Sequence, residues 1–352
     1  MVDLKKELNS LGIYKEISSI SKKDFKEFKI KDNFFYKLDN ESFLKQQKHF
    51  VKVFSNIIQT NGSSFAYKKN SSYYDFLLPH IKNNVFIRLD IQSFFHSIKE
   101  KHIRFVFQNY FKNQDNTINL LLEDDSKAID SFIKLIMIEL PKTSTNKKYC
   151  NCKILPIGFP LSPIISNIVF RPLDIQIEKY CKENNISYSR YADDMLFSSL
   201  NINSKYINSD KFIENIQLIL SQFDFKLNQH KTIKKTNLLS LNGIVINNGT
   251  IRLSNKKLDF IKKIIYYNNV LKKAPEEILF KLFKYTLPNS CKYIYSEIEN
   301  FYKDQYLLKL SGYRAYLISI IKFLKLNGIL NEESYKKYNE ILIQLEEIIE
   351  EI

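Results

Sequence analysis

Apolar positions along this 352-residue chain change their period several times. Phe43-Leu44, Phe50-Val51, Phe54 and Ile57-Ile58 recur at helical spacing and predict an amphipathic helix over about 42–59, within a lysine-rich region, residues 1–60, read as helical. Val85 to Leu89 is instead a short, mostly apolar run, which predicts a strand over 85–90 that ends on Asp90. Helical stretches are expected near 100–112 and 116–141, then a polar loop over 142–154. Next comes a helix from Ser162 to about 184, with Ile164-Ile165, Ile168-Val169, Leu173 and Ile177 on one face. Residues 186–199 have strand composition around Ala192-Asp193-Asp194, which suits a tight hairpin turn. A helix near 208–224 follows, and short strands fill 232–253 around Gly243 and Asn248-Gly249.

From Ser254, which can cap a helix starting at Asn255, the pattern is helical again. Leu258, Ile261, Ile264-Ile265 and Leu271 lie opposite Lys256, Lys257, Lys263 and Lys272-Lys273. Pro275 and Pro288 break the run, and stretches around 290–303 and 305–326 follow. In the terminal segment 332–352, Ile341, Leu342, Leu345, Ile348, Ile349 and Ile352 share a face, either packed on neighbouring helices or used for self-association. Sheet with helices on one face predicts an α+β architecture.

Composition narrows the function. Hydrophobic content of 44% with 14% aromatics excludes a disordered chain. A formal charge of +15 points to a polyanionic partner, because Lys and Arg release condensed counterions when they neutralise phosphates. A nucleotide bias in the genome would also enrich Lys, Asn and Ile, so charge alone does not decide. Cys150, Cys152, Cys181 and Cys291 are too few and too irregular for a disulfide framework and read as reduced thiols. No apolar run approaches membrane-spanning length, and the first residues lack a signal-peptide stretch, so a cytoplasmic location without a membrane partner is expected.

The candidate chemistry is carried by acidic residues. Asp193 and Asp194 interrupt Tyr188-Ser189-Arg190-Tyr191-Ala192-Asp193-Asp194-Met195-Leu196-Phe197, and Asp90 ends the earlier strand. Alone, an Asp-Asp pair reads as a solvated turn. Beside a third carboxylate at a strand terminus, it is the donor set that hard divalent ions such as Mg²⁺ require. Such an arrangement serves two-metal phosphoryl transfer.

Asp90 followed by Phe94-Phe95, with Tyr191-Ala192-Asp193-Asp194 about a hundred residues later, resembles the palm of a reverse transcriptase, specifically the bacterial retron-like and defence-associated kind. Further segments fall in that family's order. Leu155 to Asn167 resembles the palm loop and helix under the nucleotide, and Phe225 to Thr232 the segment whose lysine faces the departing pyrophosphate. Leu241 to Asn247 resembles the primer-grip hairpin, and Phe65 to Ser71, ending at His80, the fingers segment before the first palm strand. A weaker echo lies at Lys309 to Tyr313. The resemblance implies a right-hand polymerase fold: residues 1–84 as N-terminal region and fingers, 85–253 as palm with a fingers insertion at about 100–155, and 254–352 as helical thumb and terminal helix.

By that resemblance Asp90, Asp193 and Asp194 are catalytic and hold two Mg²⁺ ions, with Mn²⁺ as the substitute. Lys231 serves the leaving pyrophosphate. Phe95 closes the space of a ribose 2′-hydroxyl, while Gly158, Pro160, Lys68 and Lys69 handle the nucleotide. Tyr191, Arg190 and Gly243 contact primer or template, although a strand-face ion pair is an equal reading for Arg190. The implied partners are deoxynucleotides, a non-coding RNA template and the DNA product, with a homo-oligomer or partner protein open.

Departures from the family pattern sharpen the expectation. No Lys/Arg-rich strand pair with Gly and Pro is visible near the N-terminus, Ile157 stands where glutamine is usual, and only His80 and Gly243 agree with two retron elements. The first implies a divergent N-terminal part and the second a different handling of the nucleotide, while the third counts against the branched RNA–DNA product of retrons. No endonuclease, maturase or RNase H segment follows the thumb, so a stand-alone enzyme of phage defence is expected. The rival readings are a catalytically silent RNA-binding scaffold and template-independent or protein-primed synthesis.

Overall fold

The computed structural model describes residues 19–58, 60–111, 123–204, 206–247, 249–285 and 295–352. The helical reading of residues 1–18, the first part of the 116–141 stretch, Asn248, Pro288, Cys291 and the start of the 290–303 stretch lie outside these residues. The chain divides into two compact units, Met1–Thr236 and Asn237–Ile352.

The first unit opens with a feature the sequence reading missed. Strands β1 (Phe25–Ile30) and β2 (Asn33–Leu38) form an antiparallel hairpin, with Phe25 opposite Leu38 and Ile30 opposite Asn33. The region was expected to be helical because its turn holds neither Gly nor Pro; Lys31 itself takes φ 55. The Asp24 carboxylate ties the ends of this hairpin together, accepting from the Ser21 hydroxyl at 2.6 Å and from Asn40 Nδ2 at 2.7 Å. Asn40 in turn caps helix α1 (Glu41–Ile57), accepting from Ser42 N and Phe43 N. Phe50 and Phe54 of that helix are buried, as its periodicity requires.

Helix α2 (Tyr73–Leu77) leads to the central strand β3 (Val85–Asp90), followed by the short helix α3 (Phe94–Ser97) and helices α4 (Glu100–Phe111) and α5 (Glu123–Ile136). The two-residue strands β4 (Ile138–Glu139) and β5 (Lys153–Ile154) pair across the expected polar loop. Helix α6 (Ser162–Glu183) buries Ile164, Ile165, Ile168, Val169, Leu173 and Ile177, the predicted face. Strands β6 (Ser187–Tyr191) and β7 (Asp194–Ser199), helix α7 (Asp210–Ser221) and strand β8 (Ile233–Thr236) complete the unit. The four-stranded sheet has the order β6-β7-β3-β8, all antiparallel. Strand β3 is central in this sheet and buried on both faces except at Arg88, in line with its almost continuous apolar run.

The second unit starts with β9 (Leu238–Leu241), β10 (Ile244–Asn247) and β11 (Thr250–Leu253), a three-stranded meander. Its first turn, Asn242-Gly243, has φ 51 and φ 84, the left-handed pair that a two-residue hairpin loop demands. Helix α8 (Asn255–Asn269) begins at the predicted Ser254 cap, whose hydroxyl accepts from Lys257 N. Helices α9 (Pro275–Phe283), α10 (Tyr295–Leu326) and α11 (Glu332–Glu351) follow. The stretches 290–303 and 305–326 are one helix where described, because nothing between them is a helix breaker. Helix α11 packs on α8 and α10 through Tyr338, Ile341, Leu345 and Ile348, and the Tyr338 hydroxyl accepts from Leu253 N at 3.1 Å. Among the described residues no helix is long and apolar enough to cross a membrane.

One glycine joins the hairpin β1–β2 to the loop before α6. Gly158 has φ +106, and a Cβ there would lie 2.5 Å from the carbonyl oxygen of Tyr36. The adjacent carbonyl of Ile157 accepts from Tyr36 N at 2.8 Å. Both conformation and space exclude a side chain. Gly158→Ala is expected to lower the unfolding free energy by about 2 kcal/mol or more, measured by urea titration.

Candidate active site

Strand register brings the sequence-predicted carboxylates together. Asp90 of β3 is the direct partner of Asp194 of β7, and Tyr191 of β6 is opposite Asp194 at the base of the turn. Ala192 and Asp193 form that turn, with Ala192 at φ 57, so Asp193 stands at the tip rather than on the strand face shared with Tyr191. The Ile91 amide donates to the Asp193 carbonyl at 3.0 Å, fastening the tip to the end of β3.

Electrostatics follow from that crowding. Burial raises the Asp193 carboxyl to about 6, and the neighbouring charges of Asp194 and Asp90 add to the shift. Burial also raises Asp194, opposed by Arg88 and reinforced by Asp90. Arg88 Nε donates to Asp194 Oδ1 at 2.9 Å, and its Nη2 reaches the same oxygen. Lys231 Nζ donates to Asp90 Oδ2 at 3.0 Å; Asp90 is 2% exposed. Lys231 was singled out from sequence, whereas Arg88 was not. Its signal was available: a lone cation in an apolar strand, two residues before Asp90 and so on the same face.

The donor set suits a hard divalent ion, being carboxylate oxygens with uncompensated negative charge at the tip. Among the described residues, no three acidic, histidine or cysteine side chains stand as a ready metal-ligand group. Asp90 and Asp194 are turned to Lys231 and Arg88 instead. Among the described residues, no side chain donates a hydrogen bond to the Asp193 carboxylate.

Of the other predicted residues, Tyr191 adjoins the turn as the strand partner of Asp194. Phe94 is core, while Phe95 is partly buried, 5.5 Å from Phe94 and 6.2 Å from Tyr67 between ring centroids. The Tyr67 hydroxyl is pushed up to about 12 by burial and, next, by the charge of Asp193. Lys68 and Lys69 are exposed and line a cavity of about 380 Å³ with Tyr67, Ser55, Asn56 and Thr60. Tyr191 packs on Tyr73 and Phe76, with centroids 5.0 and 5.9 Å away. Pro160 is partly buried two residues before α6. Gly243 belongs to the second unit, where its carbonyl accepts from Ser254 N at 2.8 Å.

Arg190 requires a correction. It is 0% exposed and makes a two-point ion pair with Asp174, Nε to Oδ1 at 2.9 Å and Nη2 to Oδ2 at 2.7 Å. A guanidinium sealed in the core cannot touch a template or primer phosphate; the ion-pair reading holds, with its partner on α6. The signal for it was Asp174, a charged residue on the otherwise apolar stripe of that helix.

The raised carboxyl of Asp193 sets a pH dependence. Unfolded, it ionises near 3.8, and folded near 6, so its contribution to stability is complete below about pH 4 and is lost as pH rises through 6. In chelator-treated protein, Asp193→Asn is expected to be more stable than wild type at pH 8 by about 1–2 kcal/mol, discounted for partial exposure. That difference should close at pH 4, as read by urea unfolding at both pH values.

Comparison with known proteins supplies the context. Residues 14–261 match the family model described as reverse transcriptase (RNA-dependent DNA polymerase). Among curated proteins, the retron Ec73 reverse transcriptase of Escherichia coli is 31% identical over 196 residues, 54% of this chain and 55% of that protein. The retron Ec83 reverse transcriptase of the same species is 28% identical, over 44% of each chain. The retron Ec86 enzyme is 26% identical, over 47% of this chain and 44% of that one. The matched region spans about half the length of these relatives. A family match over most of its length, on an α+β architecture whose antiparallel sheet ends in paired aspartates, means that this chain belongs to the reverse transcriptase family and has its right-hand polymerase fold.

Proposed function

We propose that this protein is an RNA-directed DNA polymerase, which adds deoxynucleotides to a primer hydroxyl by divalent-metal phosphoryl transfer. The observation that carries the reading is the convergence of Asp90, Asp193 and Asp194 at the end of one sheet, with Asp193 raised to about 6 by burial and like charge. Such crowding disfavours the folded state unless a cation relieves it. Asp90, Asp193 and Asp194 would hold two Mg²⁺ ions, or Mn²⁺, which when bound acidify the primer hydroxyl and stabilise the leaving pyrophosphate oxygens.

The remaining roles fall to the chain's own side chains. Lys231, 56% exposed beyond its contact with Asp90, has the freedom to follow a phosphate and offset its charge or donate a proton. Phe95, held from behind by Phe94, presents a hard ring that excludes a ribose 2′-hydroxyl by clash. Lys68 and Lys69, both exposed, would receive the triphosphate as point charges. Gly158 and Pro160 shape the loop beneath the nucleotide. Tyr191 lines the primer end, and Gly243 belongs to the primer-grip turn.

We assign residues 1–84 to the N-terminal region and fingers, 85–253 to the palm with its insertion, and 254–352 to the thumb. A non-coding RNA template and a role in anti-phage defence are the finer proposals, supported by resemblance to the retron enzymes; a cytoplasmic location is proposed with them. The competing reading, a silent RNA-binding scaffold, gives no physical reason for three crowded aspartates.

Primer extension on an RNA template tests the reading. Purified protein is expected to incorporate deoxynucleotides with Mg²⁺, and Asp193→Asn to lose about a thousandfold or more in rate, in line with removal of a group that stabilises transition-state charge. Absence of incorporation by wild type on every template, with Mg²⁺ or Mn²⁺, would favour the scaffold. Phe95→Ala is expected to raise ribonucleotide relative to deoxynucleotide incorporation by about tenfold or more, read from competing single-nucleotide additions.

A further inference from the structure

Arg190 donates five hydrogen bonds with its five N–H groups, and the acceptors belong to different parts of the site. Two go to the Asp174 carboxylate at 2.9 and 2.7 Å, and Nη2 also donates to Ser64 Oγ at 3.0 Å. Nη1 donates to Asn167 Oδ1 at 3.1 Å and to the carbonyl oxygen of Ala192 at 2.9 Å. That carbonyl belongs to the left-handed residue of the turn, one position before Asp193.

The same guanidinium governs the segment that leads to Tyr67 and Lys68. Ser64 Oγ donates onward to Asn167 Oδ1 at 3.1 Å, and Asn167 Nδ2 donates to the Ala66 carbonyl at 2.7 Å. The Arg190 main chain also accepts from Phe65 N at 2.9 Å and donates to the Ser63 carbonyl at 2.7 Å. Its guanidinium lies over the Phe170 ring at 4.4 Å and 5.9 Å from the Phe94 ring, the ring that backs Phe95. Tyr188 fixes the counter-ion from the other side, its hydroxyl donating to Asp174 Oδ1 at 2.7 Å.

A buried ion pair adds little to stability over an apolar replacement, because desolvation offsets attraction. What this one supplies is geometry. We propose that Arg190 is a positioning residue, which holds the Asp193 turn and the 63–66 segment in one fixed relation, so that the metal-binding tip and the nucleotide-side residues Tyr67 and Lys68 are set together. Asp174 and Tyr188 orient the guanidinium, and Asn167 and Ser64 relay it. The inference rests on the polymerase reading for its catalytic consequence, but not for its effect on metal binding.

The test uses Arg190→Met combined with Asp174→Asn, which removes both buried charges while leaving Tyr188 an acceptor, and Arg190→Lys as the conservative variant. Unfolding temperature of the full chain is measured against Mn²⁺ concentration, beside kcat and KM for deoxynucleotides. The double variant is expected to unfold within about 5 °C of wild type in chelator. Its Mn²⁺-induced rise in unfolding temperature should need about tenfold more metal, and kcat should fall about a hundredfold, the scale of a small misplacement of reacting groups. Arg190→Lys should recover part of the metal response, since an ammonium reaches Asp174 or the Ala192 carbonyl but cannot span both. Wild-type metal midpoint and kcat in either variant would overturn the proposal and leave Arg190 as a core ion pair alone. Failure of wild-type protein to polymerise, with the metal shift present and moved in the variants, would sink the polymerase reading while sustaining the positioning role.

Discussion

Burial of neighbouring carboxylates at the end of one sheet is the constraint on which the site depends. The ladder between β3 and β7 fixes Asp90 opposite Asp194, and the hairpin turn sets Asp193 at the tip beside them. Backbone register leaves little room for these groups to separate, since Asp90 and Asp194 lie at paired strand ends and the Asp193 carbonyl accepts from Ile91 N. Nearby cations answer this charge one carboxylate at a time: Arg88 engages Asp194, and Lys231 engages Asp90. Asp193 has neither as a direct partner, and burial, with the charges of Asp194 and Asp90, raises its proton affinity. A tip whose ionisation is displaced upward to about 6 is a costly element for a structural turn and a useful one for metal-dependent chemistry.

Much of this was legible in the residues. Strand 85–90, the 162–184 helix, the acidic hairpin and the Ser254 cap each rest on local rules, namely an apolar run, a helical period, a turn dipeptide and a capping hydroxyl. What stayed hidden depends on contacts between distant segments. The β1–β2 hairpin turns on Lys31 without any glycine, so nothing local announced it. The Arg190–Asp174 pair joins a strand to a helix, and Arg190 in isolation looks like any basic residue beside a polyanion site. Arg88 was legible as a lone cation on the face of Asp90, but its partner Asp194 is set by strand register.

The loop at Ile157-Gly158 is held by groups that do not depend on the side chain at 157. The usual glutamine is missing, but the Ile157 carbonyl still anchors β2 by accepting from Tyr36 N, and any residue offers that group. Gly158 is the position that side-chain chemistry cannot replace, because the Tyr36 carbonyl fills the space of a Cβ. The loop is thus held by main chain at Tyr36, with Phe159 buried and Gly158 exposed.

Anomalous scattering from crystals grown with Mn²⁺ tests the central claim most directly. The account predicts manganese density within coordination distance of Asp193 and Asp90, with Lys231 drawn off the Asp90 oxygen it holds in metal-free protein. Crystals saturated with Mn²⁺ that show no density at this tip, with the aspartates still bonded to Arg88 and Lys231, would contradict it.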